Sequence, residues 1–291
     1  HPSAEGWTFR LAAQTRFSHR VEELPLPPLA PEASRALIDA LAPAGLVGEP
    51  VKDEVVAKAE GNPLYLEELL RALLESGGGR RRTWTITPST AAELPPALEA
   101  LLVARIDRLE PGARRLAQVA SVVGREFPVS VVAAVAGSAD PDGDIASLLR
   151  AEIIREVRRF PELECTFRHG LLQEAALSTL TPASQRELYG RVGRAMEAHL
   201  GDHVDERLEQ LAFYFYRSDD TGKAFDYLER AAEHAVRVEA LARAEELWNR
   251  ARRLAEREGD EGRTEQVDRQ LKWLRKRSSG ELPLPPAPET G

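Results

Sequence analysis

Catalysis by nucleophilic attack, proton transfer or metal activation draws mainly on Cys, His and paired carboxylates. The chain of 291 residues holds one cysteine, Cys165, and six histidines. No nucleophile motif surrounds Cys165 in "ECTFRH", so it reads as a small apolar strand residue. His199 and His203 are four residues apart, but Gly201 lies between them and no third ligand is evident. Two ligands do not make a zinc site. Neither H-E-x-x-H nor the phosphate loop G-x-x-x-x-G-K-[ST] occurs. No catalytic residue and no metal ligand is assigned.

Two other places could contact a ligand. In "AEGNPLYLEELLRALLE" the residues Gly61, Asn62 and Pro63 break two helices apart. Gly61 can end the first helix in the left-handed conformation. Asn62 can cap the second, and Pro63 suits its first position. That account is complete without a ligand. The functional reading is a rigid proline and a positive helix start facing a nucleotide. The second place is His169 in "FRHGLLQEAAL". The plain reading is a hairpin-end histidine bonded to nearby backbone. The functional one is an imidazole at a helix start, aimed at phosphate oxygens.

The elements that must position these residues are mostly helical. "HRVEELPLPPL" (His19 to Leu29) predicts a short strand ended by prolines. "APEASRALIDALAP" and "VKDEVVAKAE" predict helices, and the helix after Pro63 carries Tyr65, Leu66, Leu69, Leu70, Leu73 and Leu74 along one face. "SGGGRRR" reads as a flexible loop. Two helices follow, split at Glu110-Pro111-Gly112, then two short ones in "FPVSVVAAVAG" and "DGDIASLLRAE". From Ile153 to His169 the pattern becomes that of two strands around a Phe160–Leu163 turn, with Ile, Val and Arg on one side and Cys, Thr and Phe on the other. Helices followed by a hairpin are the pattern of a winged-helix module. Beyond about Pro182 the chain reads as all helix, and "KAFDYLERA" matches "RAEELWNRA" at an offset of 20 residues. Stacked helical hairpins are expected there, although the step is shorter than the ~34 of a tetratricopeptide repeat. The tail "ELPLPPAPETG" is Pro-rich and expected to be disordered.

On "AEGNPLYLEELLRALLE", "LPPALEALLVARIDRLEPGARRLAQVASVVGREF" and "FRHGLLQEAALSTLTPASQRELYGRVGRAME" the chain resembles the signal-transduction ATPases with numerous domains. That group serves many LuxR-type regulators and ATPase modules fused to nucleotide cyclases. The three blocks fall in the family's order and cover roughly residues 20 to 260. The resemblance implies a mainly α fold: a remnant of the ATPase core over 1–28, a helical lid over 29–92, a winged-helix domain over 93–200, helical repeats over 201–275 and the tail over 276–291. It also implies that Gly61-Asn62-Pro63 is the lid motif whose proline packs on adenine, and that His169 senses the diphosphate of bound ADP. ATP or ADP, with magnesium, would bind only together with a phosphate-loop core. That loop, the magnesium-binding acids and most of the core sheet are missing from this sequence. The expectation is therefore a regulatory piece of a longer switch protein, which does not hydrolyse ATP alone. Its partners would be the upstream core and a protein or small-molecule signal at the repeats.

Bulk properties narrow the alternatives. Net charge is −8, where a nucleic-acid binder would carry a basic excess. Even so, a winged-helix DNA-binding regulator, with Arg155, Arg158 and Arg159 on phosphate, is one competing reading, and a helical protein-interaction scaffold is another. A single cysteine rules out an internal disulfide and fits a reducing compartment. The longest apolar run, Phe127 to Gly137, is too short to span a bilayer, and no secretory signal opens the chain. A cytoplasmic location is expected.

Overall fold

A computed structural model of the chain describes residues 26–42, 45–76 and 98–278. The glycine–arginine loop, the Pro-rich tail and nearly all of the strand expected over His19 to Leu29 lie outside them. The chain divides into two compact units, His1–Leu101 and Leu102–Gly291.

In the first unit, α1 (Pro31–Leu41), α2 (Glu49–Ala59) and α3 (Pro63–Ser76) pack together. A proline stands in the first turn of both α1 and α2, where a missing N–H costs nothing. The apolar face expected for α3 is real, since Leu66, Leu69 and Leu73 are fully buried. They meet Ile38 of α1 and Val51 and Val55 of α2, with Leu98 and Leu101 joining the same cluster. Each such side chain stabilises the fold by ~1.5–3 kcal/mol. Arg35 with Glu49 at 3.0 Å and Lys52 with Asp39 at 2.6 Å link α1 to α2 at the surface, where such pairs add little.

α4 (Leu98–Asp107) begins in the first unit, and the second continues through α5 (Pro111–Val123), β1 (Glu126–Pro128), α6 (Val129–Ala136), α7 (Pro141–Arg150), β2 (Ile154–Arg158), β3 (Glu164–Phe167), α8 (Gly170–Ser178) and α9 (Pro182–Leu200). The strands form an antiparallel sheet in the order β1-β3-β2. Helix, strand, two helices and a two-stranded wing make this a winged-helix domain. β1 corrects the sequence reading, which began a helix at Phe127. Three residues ending in proline carry no periodicity. They become a strand only because Phe127 pairs with Cys165 and Glu126 with Thr166. The expected two-faced hairpin is also corrected. β3 buries Cys165, Thr166 and Phe167 in succession, whereas β2 buries only Ile154 and exposes the rest. β3 is central, and β2 is an edge strand that stands away from the core. Phe127 and Phe167 meet beneath the sheet, with ring centroids 5.7 Å apart.

Cys165 is fully buried. Burial pushes its thiol up to about 11, helped by the charge of Glu156. The folded state thus favours the neutral thiol. This contribution to stability is intact below pH 9 and is lost as pH rises toward 11. In the native chain at pH 8, Ellman's reagent is expected to modify Cys165 at least about 100-fold more slowly than in denaturant. Equal rates would contradict this placement.

After α9 come a 3-10 helix (Gly201–Arg207), α10 (Leu208–Tyr216), α11 (Thr221–Arg237), α12 (Leu241–Glu258) and α13 (Glu261–Ser278), each packed on the next. The 20-residue step continues one helix further than the sequence match: Tyr227, Leu247 and Val267 are buried in turn, as are Ala231, Ala251 and Leu271. Small residues allow close approach here. A Cβ on Gly193 of α9 would lie 2.9 Å from the Phe215 ring, and that ring stacks on Tyr227 at 5.4 Å. The Tyr214 hydroxyl donates to the Val123 carbonyl at 2.7 Å, tying α10 to the end of α5. The winged helix and the repeats therefore share one packed body.

Candidate functional site

The helix break at Gly61 is built by three kinds of local chemistry. Glu60, at the end of α2, is left-handed at φ 49°, and Gly61 follows at φ 75°. The Asn62 amide turns back to the Ala59 carbonyl at 2.8 Å. Asn62 then caps α3, its Oδ1 accepting from the Leu64 and Tyr65 amides at 3.1 and 3.2 Å. Pro63 takes the first helical position, as expected. Asn62 and Pro63 are exposed. The Tyr65 hydroxyl is held above its usual range by burial and by the Glu60 carboxylate.

The break also holds something that local sequence does not reveal. The Leu29 amide donates to the Gly61 carbonyl at 2.8 Å. A Cβ on Gly61 would lie 2.5 Å from the Leu29 carbonyl oxygen and 2.8 Å from Pro28 Cβ. Gly61 is therefore required twice, for its positive φ and for this close approach. The segment that enters α1 is clamped against the break, while Pro63 keeps its ring toward solvent. A rigid apolar ring beside a capped helix start can pack on the face of a flat heterocycle.

His169 is the N-cap residue of α8 in extended backbone conformation. Its carbonyl accepts the Leu172 amide at 3.0 Å, and its imidazole makes no capping bond. The backbone closes the helix without the imidazole; the residue is half-buried and its Nε2 is shielded from solvent. The approach to His169 is firmly held. Thr166 Oγ1 donates to the Arg125 carbonyl at 3.0 Å, the Arg168 amide donates to Ile153 at 3.0 Å, and Gln173 of α8 donates to the Ser121 carbonyl at 3.1 Å. An imidazole at a helix start suits an anion, to which a protonated ring nitrogen can donate.

Gly61, Asn62 and Pro63 belong to the first unit and His169 to the second. His199 and His203 do not act together. His199 Nε2 lies 2.9 Å from Glu162 in the wing turn, and His203 Nδ1 lies 2.9 Å from Glu206. Among the described residues no group of three or more His, Cys, Asp or Glu could hold a metal ion. Among them, too, no helix is long and apolar enough to cross a membrane. Sequence reasoning missed Glu60 and Leu29 as parts of the break. A run of prolines before Leu29 was the only signal for the second. In comparison with known proteins, the chain matches no protein-family model and no curated protein.

Proposed function

We propose that this chain is the regulatory portion of an ATP-dependent signalling switch, comprising lid, winged helix and helical repeats. Nucleotide would be held jointly by a separate phosphate-loop core, by Pro63 on the base and by His169 on the diphosphate. The observation that carries this reading is the succession of parts: a three-helix unit with an exposed proline at a helix start, then a winged helix whose last strand delivers a histidine to the start of α8. The residues that resemble the family's nucleotide contacts stand at helix starts, where anions and polar rings are favoured. The switch needs only that ADP binds one arrangement of lid and winged helix more tightly than another. A signal reaching the repeats would change that balance, because the repeats and winged helix are tied through Tyr214. In a protein that carries both this chain and a phosphate loop, Pro63→Gly is the direct test of the base contact. It should weaken ADP and ATP alike while leaving inorganic phosphate unaffected. Unchanged nucleotide affinity would remove Pro63 from the site.

DNA binding is the weaker alternative. Two of the three hairpin arginines already have carboxylate partners within the hairpin: Arg158 with Glu164 across the two strands, and Arg159 with Glu156 at 2.7 Å. α7, the helix that would enter a major groove, opens with Asp142 and Asp144 and ends in a single arginine. Phosphates would meet carboxylates there. We expect no binding to a 30-base-pair duplex above background at 50 mM salt. Affinity that falls steeply with salt would reinstate the DNA reading.

A further inference from the structure

Between the start of α9, the turn joining α10 to α11 and the end of α12 lies an open cleft of about 630 Å³. This is within the size range of small-molecule sites, ~300–1,000 Å³. Its lining includes Arg186, Tyr189, Tyr216, Arg217 and Arg257. Two of these arginines are neutralised locally: Arg186 by Asp219 and Arg257 by Glu258, both at 3.2 Å. Arg217 differs. Its guanidinium lies 4.4 Å from the ring centroid of Phe213 and 5.6 Å from that of Tyr189, and it has no carboxylate partner among the described residues. Among the three arginines that line the cleft, Arg217 alone is held by rings rather than by a carboxylate.

Stacking on rings fixes the guanidinium plane and leaves its N–H edge available, which lowers the entropic cost of binding an anion. The hydroxyls of Tyr189 and Tyr216 also bond to no described residue, although Tyr189 is 5% exposed. Three donors with no acceptor among the described residues thus line one cleft, together with the half-buried ring of Tyr216. Donors of this kind match an anionic head, and the tyrosine ring matches a flat group behind it.

We propose that this cleft binds a small aromatic anion, with its carboxylate or phosphate on Arg217 and its ring against Tyr216. The proposal concerns this chain alone and does not depend on the nucleotide switch. If both hold, the cleft lies where the winged helix's α9 meets the repeats, a position suited to an input signal.

Phenyl phosphate is the probe, titrated into the intact chain by calorimetry up to about 10 mM, with inorganic phosphate as the arm lacking a ring. Saturable binding of phenyl phosphate is expected, at least about tenfold weaker in Arg217→Gln and about threefold weaker in Tyr216→Phe. Arg250→Gln, on the same repeats but paired to Glu246 at 2.6 Å, should bind as the wild type does. Melting temperatures check that each variant folds. If Arg217→Gln does not fold, Arg217→Lys is read in its place and should also weaken binding, because it loses the flat stack. No saturable binding, or binding unaffected by the folded Arg217 variant, overturns the proposal. Equal affinity for inorganic phosphate overturns its aromatic half. Because this assay uses no nucleotide, failure here leaves the switch reading standing, and failure of that reading leaves this site standing.

Discussion

Replacing Gly61 with Ala is expected to destabilise the three-helix unit by about 3 kcal/mol. Two effects add. A left-handed backbone costs a Cβ-bearing residue about 1 kcal/mol. The new Cβ would also lie 2.5 Å from the Leu29 carbonyl oxygen, a contact no real Cβ tolerates, and backbone rather than a flexible side chain must move. The Leu29–Gly61 hydrogen bond would be lost with it. Gly45 provides the internal control. It has nearly the same φ, 76°, but nothing within 4 Å of its Cβ position. Gly45→Ala should therefore cost only the conformational part, about 1 kcal/mol. Hydrogen exchange of the α2 and α3 amides measures both variants against the wild type. Equal losses would mean that the entering segment is not clamped by the break. A unit this small has little stability in reserve, so the Gly61 variant is expected to populate an unfolded first unit at 37 °C.

Trp248→Ala should cost about 3–5 kcal/mol, the usual range for deleting a large buried aromatic side chain. Trp248 is 1% exposed and is among the largest fully buried side chains described. It borders a small cleft with Glu233 and Val236 of α11 and Gln270 and Trp273 of α13, so one ring serves three helices. Repeat arrays are held mainly by nearest-neighbour contacts. Exchange protection should therefore fall first in α12 and α13, while the winged-helix core around Phe127 and Phe167 keeps its own. Urea unfolding followed by residue-level exchange resolves the two. A loss below about 1 kcal/mol would show that the ring does not hold the stack together.

The parts of this molecule that were legible in its sequence are those settled by local chemistry. Asn62 and Pro63 could be read as cap and first helical residue because capping involves only the next few amides. The buried face of α3 followed from its leucine spacing. The repeat followed from small residues at a constant step, which put Trp248 at the position equivalent to Leu228. What was hidden depended on distant partners. β1 is three residues that pair with β3 nearly forty residues later. Which faces of the wing are buried depends on β3 being central and β2 being an edge strand, which alternation alone does not show. Gly61 could be recognised as a helix terminator, but not as the seat of Leu29. Arg217 looks like any other arginine in sequence. What sets it apart within its cleft is that Arg186 and Arg257 have carboxylates and it has rings.

The switch reading rests on His169, and one measurement addresses it directly. In the protein that carries both this chain and a phosphate loop, purified without added nucleotide, the ADP content of wild type and His169→Ala is compared by chromatography of the released nucleotide. The account predicts close to one ADP per wild-type chain and loss of most of it in the variant, since one charge-assisted bond to a diphosphate is worth ~1.5–3 kcal/mol, or about 10- to 100-fold in affinity. Equal ADP content in the two proteins, or none in either, would contradict it.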